Sequence, residues 1–179
     1  VARKDYRKTY DVYKDDTLLN RQPKKSRKIF VCLDEQRGQY LVDGLVAMDF
    51  PLSSGVKAYP TKTGDYAVIS KKEDHTSNLY GKMYDAEGKC INYNAESTDP
   101  IPEGGRFDGS PMPYWQRLTN AGLGLHVGKV RRHPVSHGCV RLPRNVAEIL
   151  YRQTSIGTPV TIRKTPLPVP EAQKVPAVQ

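Results

Sequence analysis

The sequence predicts a mainly β domain carrying one well-formed helix. Three observations lead to this. Short runs rich in Val, Ile, Tyr and Phe recur along the chain between Gly, Pro, Asn and Asp clusters. Only the stretch after Pro143 carries apolar residues at helical spacing. Of the 179 residues, 37% are apolar and 8% aromatic, enough for one modest core.

Taken in order, residues 1–26 are basic and poor in large apolar groups, which predicts a loosely held arm. Runs 28–33 and 39–46 are β-rich and flank Glu35-Gln36-Arg37-Gly38, which reads as a hairpin turn. Runs 48–52 and 64–70 continue the strand pattern, with turn signals at Ser53-Ser54-Gly55 and Tyr59-Pro60 between them. Residues 81–111 are rich in Gly, Pro, Asp and Asn and read as one long loop. Such loops are usually functional lids or disordered, so 81–111 is a candidate lid, with a decorative insertion as the alternative. Runs 114–118 and 123–126 are further strands. Pro143 suits a helical first turn, Val146, Ile149, Leu150 and Gln153 form the stripe, and Gly157 ends it. Residues 158–163 form a last strand. The segment 164–179 holds four prolines and reads as an extended tail.

Charge narrows the function classes. The net charge is 28 − 19 = +9, and residues 1–28 carry ten Lys/Arg against four Asp. A nucleic-acid role would want interleaved aromatics and a recognisable binding module, and Tyr6, Tyr10 and Tyr13 give only a faint version. A polyanionic cell envelope is the more economical partner. No run approaches the ~18 apolar residues of a membrane span. No secretory leader is recognisable at Val1, and the expectation is that one has been removed or trimmed. Of the three cysteines, Cys139 is the natural free thiol. Cys32 and Cys90 either pair in an oxidising compartment, or Cys32 is simply packed in a strand.

The chemistry concentrates in SHGCVR at 136–141, with His126 upstream. This places a thiol, two imidazoles, glycine-flanked amides and a cation within sixteen residues, the equipment of a cysteine nucleophile in acyl transfer. Between 125 and 144 stand five cations (Lys129, Arg131, Arg132, Arg141, Arg144) and no carboxylate. That field predicts a Cys139 pKa below the free value of roughly 8.5. Two blander readings are a zinc site made of His126, His133, His137 and Cys139, and a buried structural cysteine.

At these residues the chain resembles the L,D-transpeptidases of the bacterial cell wall, the YkuD-type catalytic domain. The family signature is a histidine, a variable stretch, then S/T-H-G-C, a hydrophobic residue and Asn or Arg. Here it reads His126, then Ser136-His137-Gly138-Cys139-Val140-Arg141. TKTGDYAVIS at 61–70, HTSNLYG at 75–81, MPYWQRL at 112–118 and GTPVTI at 157–162 resemble other family segments. Lys62 stands where proline is usual, Arg141 replaces the Asn of some members, and His133 departs from the pattern. The resemblance covers roughly 27–163. It implies a β-sandwich or half-open barrel of mixed sheet with the helix packed alongside, preceded by the arm 1–26 and followed by the tail 164–179.

It also implies roles. Cys139 is the expected nucleophile and His126 the general base, its ring held by a backbone carbonyl of Val127 or Gly128. His137, two residues before Cys139 in an extended segment, is expected on the same face, supporting loop or substrate; a structural histidine is the alternative. The N–H groups of Gly138 and Cys139 are the expected oxyanion donors, worth on the order of 3 kcal/mol each. Arg141 is a fork suited to a carboxylate, and Ser136, Tyr114 and Trp115 complete the expected substrate-binding set. No metal and no organic cofactor is required. The expected activity is attack on the L-to-D amide of a peptidoglycan tetrapeptide stem in the periplasm or cell envelope. The acyl group then passes to an amine of another stem or of an envelope protein. An L,D-carboxypeptidase, with water as acceptor, is the alternative on the same residues. A non-catalytic wall-binding domain has no use for the His126/Cys139 pair. A papain-like peptidase places Cys before His, the reverse of the order here.

Overall fold

A computed structural model of the protein describes residues 10–165. The segments 1–9 and 166–179, with the first part of the basic arm and nearly all of the proline-rich tail, lie outside the described residues. The chain runs β1 (Tyr13–Lys14), α1 (Asp16–Asn20), β2 (Arg27–Cys32), β3 (Arg37–Val42), β4 (Leu45–Pro51), β5 (Gly64–Ala67), β6 (Ser70–Lys72) and β7 (Thr76–Tyr84). It continues β8 (Cys90–Glu96), β9 (Arg106–Pro111), β10 (Trp115–Arg117), β11 (Gly124–Val127), β12 (Val140–Leu142), α2 (Arg144–Gln153) and β13 (Pro159–Arg163). The fold is mainly β, as the sequence predicts.

Three sheets form, ordered β1-β4-β3-β2-β13-β5, β12-β11-β10-β6 and β8-β7-β9. The first two are mixed: β13 runs parallel to β2 and antiparallel to β5, and β11 runs parallel to β12. Among the described residues no sheet closes into a barrel. Alternation explains why one core suffices. Ile29, Val31, Tyr40, Met48 and Phe50 of the first sheet meet Leu125, Val140 and Leu142 of the second and Val146, Ala147 and Leu150 of α2 in one buried cluster.

The helix expected after Pro143 is α2, with Pro143 itself at the N-cap. It stops at Gln153, before Gly157, because other groups take its last carbonyls. Arg27 and Tyr40 donate to the Gln153 carbonyl at 3.0 and 3.2 Å, and Lys71 Nζ donates to the carbonyls of Tyr151 and Thr154. Orphan carbonyls at a helix end attract such donors and cations.

Four expectations change. The run 39–46 is two strands, because Asp43 and Gly44 both take positive φ (52° and 79°) and turn β3 into β4; an Asp-Gly pair is the preferred two-residue hairpin turn. The described part of the arm is docked. The Asp15 side chain caps α1 by accepting from Leu18 N–H at 3.0 Å, Leu18 and Leu19 are buried, and β1 pairs with β4. The 81–111 stretch is no long loop but most of the β7-β8-β9 sheet. Its strands are mostly solvent-facing, so they lack the apolar runs that mark strands in sequence. Glycine there permits close strand approach: a Cβ on Gly81 would lie 2.0 Å from the Asp108 carbonyl oxygen. Finally, Cys32 and Cys90 are both free. Cys32 is buried at the end of β2 with its thiol donating to the Lys164 carbonyl at 3.2 Å, and Cys90 opens β8 in another sheet. The packed-strand reading of Cys32 holds and the disulfide is not formed.

Candidate active site

The second sheet sets out the site by parity. In β11, Leu125 faces the core, so Gly124 and His126 face away from it. In β12, Val140 and Leu142 face the core, so Arg141 faces away, and Cys139 just before the strand continues on that side. The parallel register pairs His126 with Arg141 and Leu125 with Val140, which brings Gly124 level with Cys139. Thirteen residues of sequence separation are thus closed by one strand pairing. Cys139, His126, Arg141, His137, Gly138, Ser136 and Trp115 all line one cavity of about 820 Å³. Its opposite wall includes Asn78, Leu79 and Tyr80 of β7 and Tyr93 of β8.

The loop before Cys139 is held from several sides. Ser136 Oγ donates to the Cys139 carbonyl at 2.5 Å and accepts from Gly138 N–H at 3.1 Å. Thr61 Oγ1 donates to the Gly138 carbonyl at 2.6 Å and accepts from Gly55 N–H at 2.8 Å. Ser53 and Arg141 exchange two backbone bonds, at 2.8 and 3.1 Å. Gly138 sits at φ 118°, which favours glycine. His137 lies between two rings, Tyr59 at 4.8 Å and Tyr80 at 4.6 Å, and so ties this loop to β7.

His126 is 6% exposed, and its Nδ1 lies 2.7 Å from the Val127 carbonyl, one of the two carbonyls expected. A carbonyl only accepts, so Nδ1 carries the proton and Nε2 of the neutral ring is the acceptor. Burial pushes the His126 pKa down to about 4, with Arg141 and His75 adding to the effect against the Val127 bond. At neutral pH the ring is therefore uncharged.

Cys139 corrects an expectation. Burial pushes its pKa above the ordinary thiol value; the backbone bond to Gly124 and the fields of Arg141 and Arg117 pull it down, but less. Sequence counted the cations and could not count the desolvation, which acts against the charged form. The thiol donates to the Gly122 carbonyl at 3.2 Å, so the resting pair is thiol and neutral imidazole.

Trp115 lines the cavity, its ring against His75 (4.9 Å) and toward His126 (6.1 Å). Tyr114 does not line it: at φ 55° its ring turns to the core and meets Tyr151 of α2 at 5.5 Å. The Ser136 hydroxyl is committed within its own loop and is a positioning group, not a free substrate contact. Gly138 N–H is likewise taken by Ser136, which leaves Cys139 N–H from the expected oxyanion pair. His133 is exposed, its Nδ1 3.2 Å from the Pro134 carbonyl, and does not join the other three zinc-reading ligands. Among the described residues no three His, Cys, Asp or Glu side chains are grouped to hold a metal ion. Sequence reasoning missed Thr61, Tyr80 and Arg117. Each lies in a run already singled out, and Arg117 was legible as the residue two beyond Trp115 on a strand.

The family model of the YkuD L,D-transpeptidase catalytic domain matches residues 26–162. The chain belongs to this family. Among curated proteins, a probable L,D-transpeptidase 3 of Mycobacterium tuberculosis is 31% identical over 121 residues, covering 64% of this chain and 38% of that protein. Among solved structures, an L,D-transpeptidase from Mycobacterium smegmatis superposes with TM-score 0.59 at 22% identity, covering 77% of this chain and 58% of its own. One from Enterococcus faecium gives 0.56 at 27%, covering 78% and 50%. An L,D-transpeptidase in complex with imipenem gives 0.59 at 20%, covering 77% and 59%. This YkuD domain thus spans well under two thirds of the length of these relatives.

Proposed function

We propose that the chain is a cysteine-dependent peptidoglycan L,D-transpeptidase of the cell envelope. The observation that carries this is the placement of His126 on β11 and of Cys139 immediately before the neighbouring β12, both facing one cavity, with the His126 tautomer fixed by Val127. Cys139 Sγ attacks the carbonyl joining an L-centre to the following D-residue of a tetrapeptide stem. As the C–S bond forms, the thiol proton passes to His126 Nε2. Cys139 N–H faces the developing oxyanion, for which such donors are the usual source of stabilisation. Collapse breaks the C–N bond, and His126 returns the proton to the departing amine of the D-residue. An acceptor amine then attacks the thioester and gives its proton to His126, and the thiol is restored. The acceptor is an amine of a second stem or of an envelope protein. His137 and Ser136 hold the loop, and Arg141 meets substrate carboxylate. Because a family relative is solved with imipenem, carbapenems are proposed to acylate Cys139 as well.

The test is incubation with tetrapeptide-rich muropeptides and separation of products by mass spectrometry. Cross-linked dimers made by the wild-type protein and not by Cys139→Ala are the expected result. Tripeptides alone would make it an L,D-carboxypeptidase, and no product would overturn the enzymatic reading.

A further inference from the structure

The reacting thiol is flanked by a second guanidinium that the motif does not contain. On β10, Arg117 pairs with Gly124 of β11, and Gly124 lies level with Cys139, so Arg117, Gly124 and Cys139 form one row across the sheet on the cavity side. Gly124 carries no side chain, and a Cβ there would lie 2.4 Å from the Trp115 ring. The tip of the Trp115 ring therefore floors the space between the arginine and the thiol. The Arg117 guanidinium carbon stands 5.6 Å from that ring. Arg117 and Arg141 both line the cavity with Lys62, and no Asp or Glu lines it. Among the described residues neither arginine forms an ion pair with a carboxylate. Three cations facing a cavity without an anion want an anionic ligand.

We propose that Arg117 is a specificity-determining residue that binds the free terminal carboxylate of the residue leaving the acyl donor. The inference rests on the reading of the site as an L,D-transpeptidase. Its geometry follows from bond lengths. In a reactive complex the scissile carbonyl carbon lies roughly 3–3.5 Å from Sγ. The leaving residue's carboxylate carbon is three bonds further, less than about 4 Å away. Two strand spacings separate the Arg117 and Cys139 backbones by roughly 9.5 Å. A carboxylate over the Trp115 ring then lies between thiol and guanidinium, within reach of the arginine stem. Arg141, on the His126 side of the thiol, is left for other anionic groups of the stem. A fork recognises the planar carboxylate with two parallel bonds, and a neutral carboxamide cannot replace that charge.

The experiment compares two synthetic tetrapeptide donors, one with its C-terminal carboxylate free and one with it amidated, by rate of acyl-enzyme formation. The wild-type protein is expected to prefer the free acid by about ten- to a hundred-fold in kcat/KM. Arg117→Gln collapses that ratio toward one, and Arg117→Lys, which keeps charge and loses the fork, leaves an intermediate ratio. Equal wild-type rates on the two donors, or an unchanged ratio in Arg117→Gln, would overturn the inference while leaving the transpeptidase reading intact. Absence of an acyl-enzyme from either donor in the wild-type protein would overturn both.

Discussion

Cys139 rests as a thiol and His126 as a neutral imidazole, so in the proposed reaction the proton moves during attack and not before it. The sign of each shift makes this testable. Desolvation holds the Cys139 pKa up, so its alkylation by iodoacetamide should follow an apparent midpoint above the free-cysteine value of roughly 8.5. Removing the nearby charge in Arg141→Gln should raise it further. A midpoint below about 8, read by peptide mapping across pH, would mean a preformed thiolate. His126 acts on stability in the opposite pH range. Its folded pKa of about 4 lies below the unfolded value of roughly 6.5, so protons bind the unfolded chain more readily. The stabilising effect is complete above pH 6.5 and is lost as pH falls toward 4, on the order of 3 kcal/mol in all. In denaturant titrations at pH 7 and pH 4.5, His126→Gln should flatten this part of the acid slope. An unchanged slope would place His126 in a wetter environment than its 6% exposure implies.

At the scale of elements, the 136–139 loop depends on the segment 52–61, which forms isolated bridges from Ser53 to Arg141 and from Gly55 to Ser136 and contributes no group to the proposed reaction. Gly55 bridges to Ser136, and a Cβ on it would lie 2.1 Å from the Tyr59 carbonyl oxygen and 2.8 Å from Gly138 Cα. Gly55→Ala must therefore push the 136–139 loop outward. Overpacking of this kind costs about 1–3 kcal/mol, and the displaced nucleophile should acylate at least about tenfold more slowly. A melting curve and a carbapenem acylation rate read the two effects; wild-type rates would show that the loop is set elsewhere. Elements also differ in how far sequence exposes them. The stripe of α2 and the buried strands β2, β4 and β13 were legible because burial writes periodicity into the residues. The β7-β8-β9 sheet was not, because solvent covers much of it and Asn, Asp and Gly serve there as well as Val or Ile. The helix α1 was hidden in a charge-rich arm because five residues are too few for a periodic signal. Of the site, the meeting of Cys139 and His126 at one cavity was legible through the motif, and the carbonyl beside His126 only as that of Val127 or Gly128. The Tyr114 and Trp115 pair was ambiguous, because strand parity decides which ring faces the cavity and one positive φ reverses Tyr114. The thiol's protonation was misread because desolvation is a property of the fold.

For the whole molecule, the net charge of +9 suits a polyanionic surface. Binding of Cys139→Ala to purified sacculi should weaken steadily as salt rises through the range where the Debye length falls below about 10 Å. Salt-independent retention in a pull-down would show that the positive charge does not drive binding. The first two sheets and α2 share one core, and the third sheet supplies the far wall of the cavity, so the cavity lies between the sheet that carries His126 and a more polar one. The proposed reaction passes through one covalent intermediate. Intact-protein mass spectrometry after incubation with a tetrapeptide donor tests it directly. One adduct of the tripeptide acyl group, with release of the D-residue, is expected on wild-type protein and none on Cys139→Ala. No adduct on the wild-type protein, or an adduct that persists in Cys139→Ala or maps to Cys32 or Cys90, would contradict it.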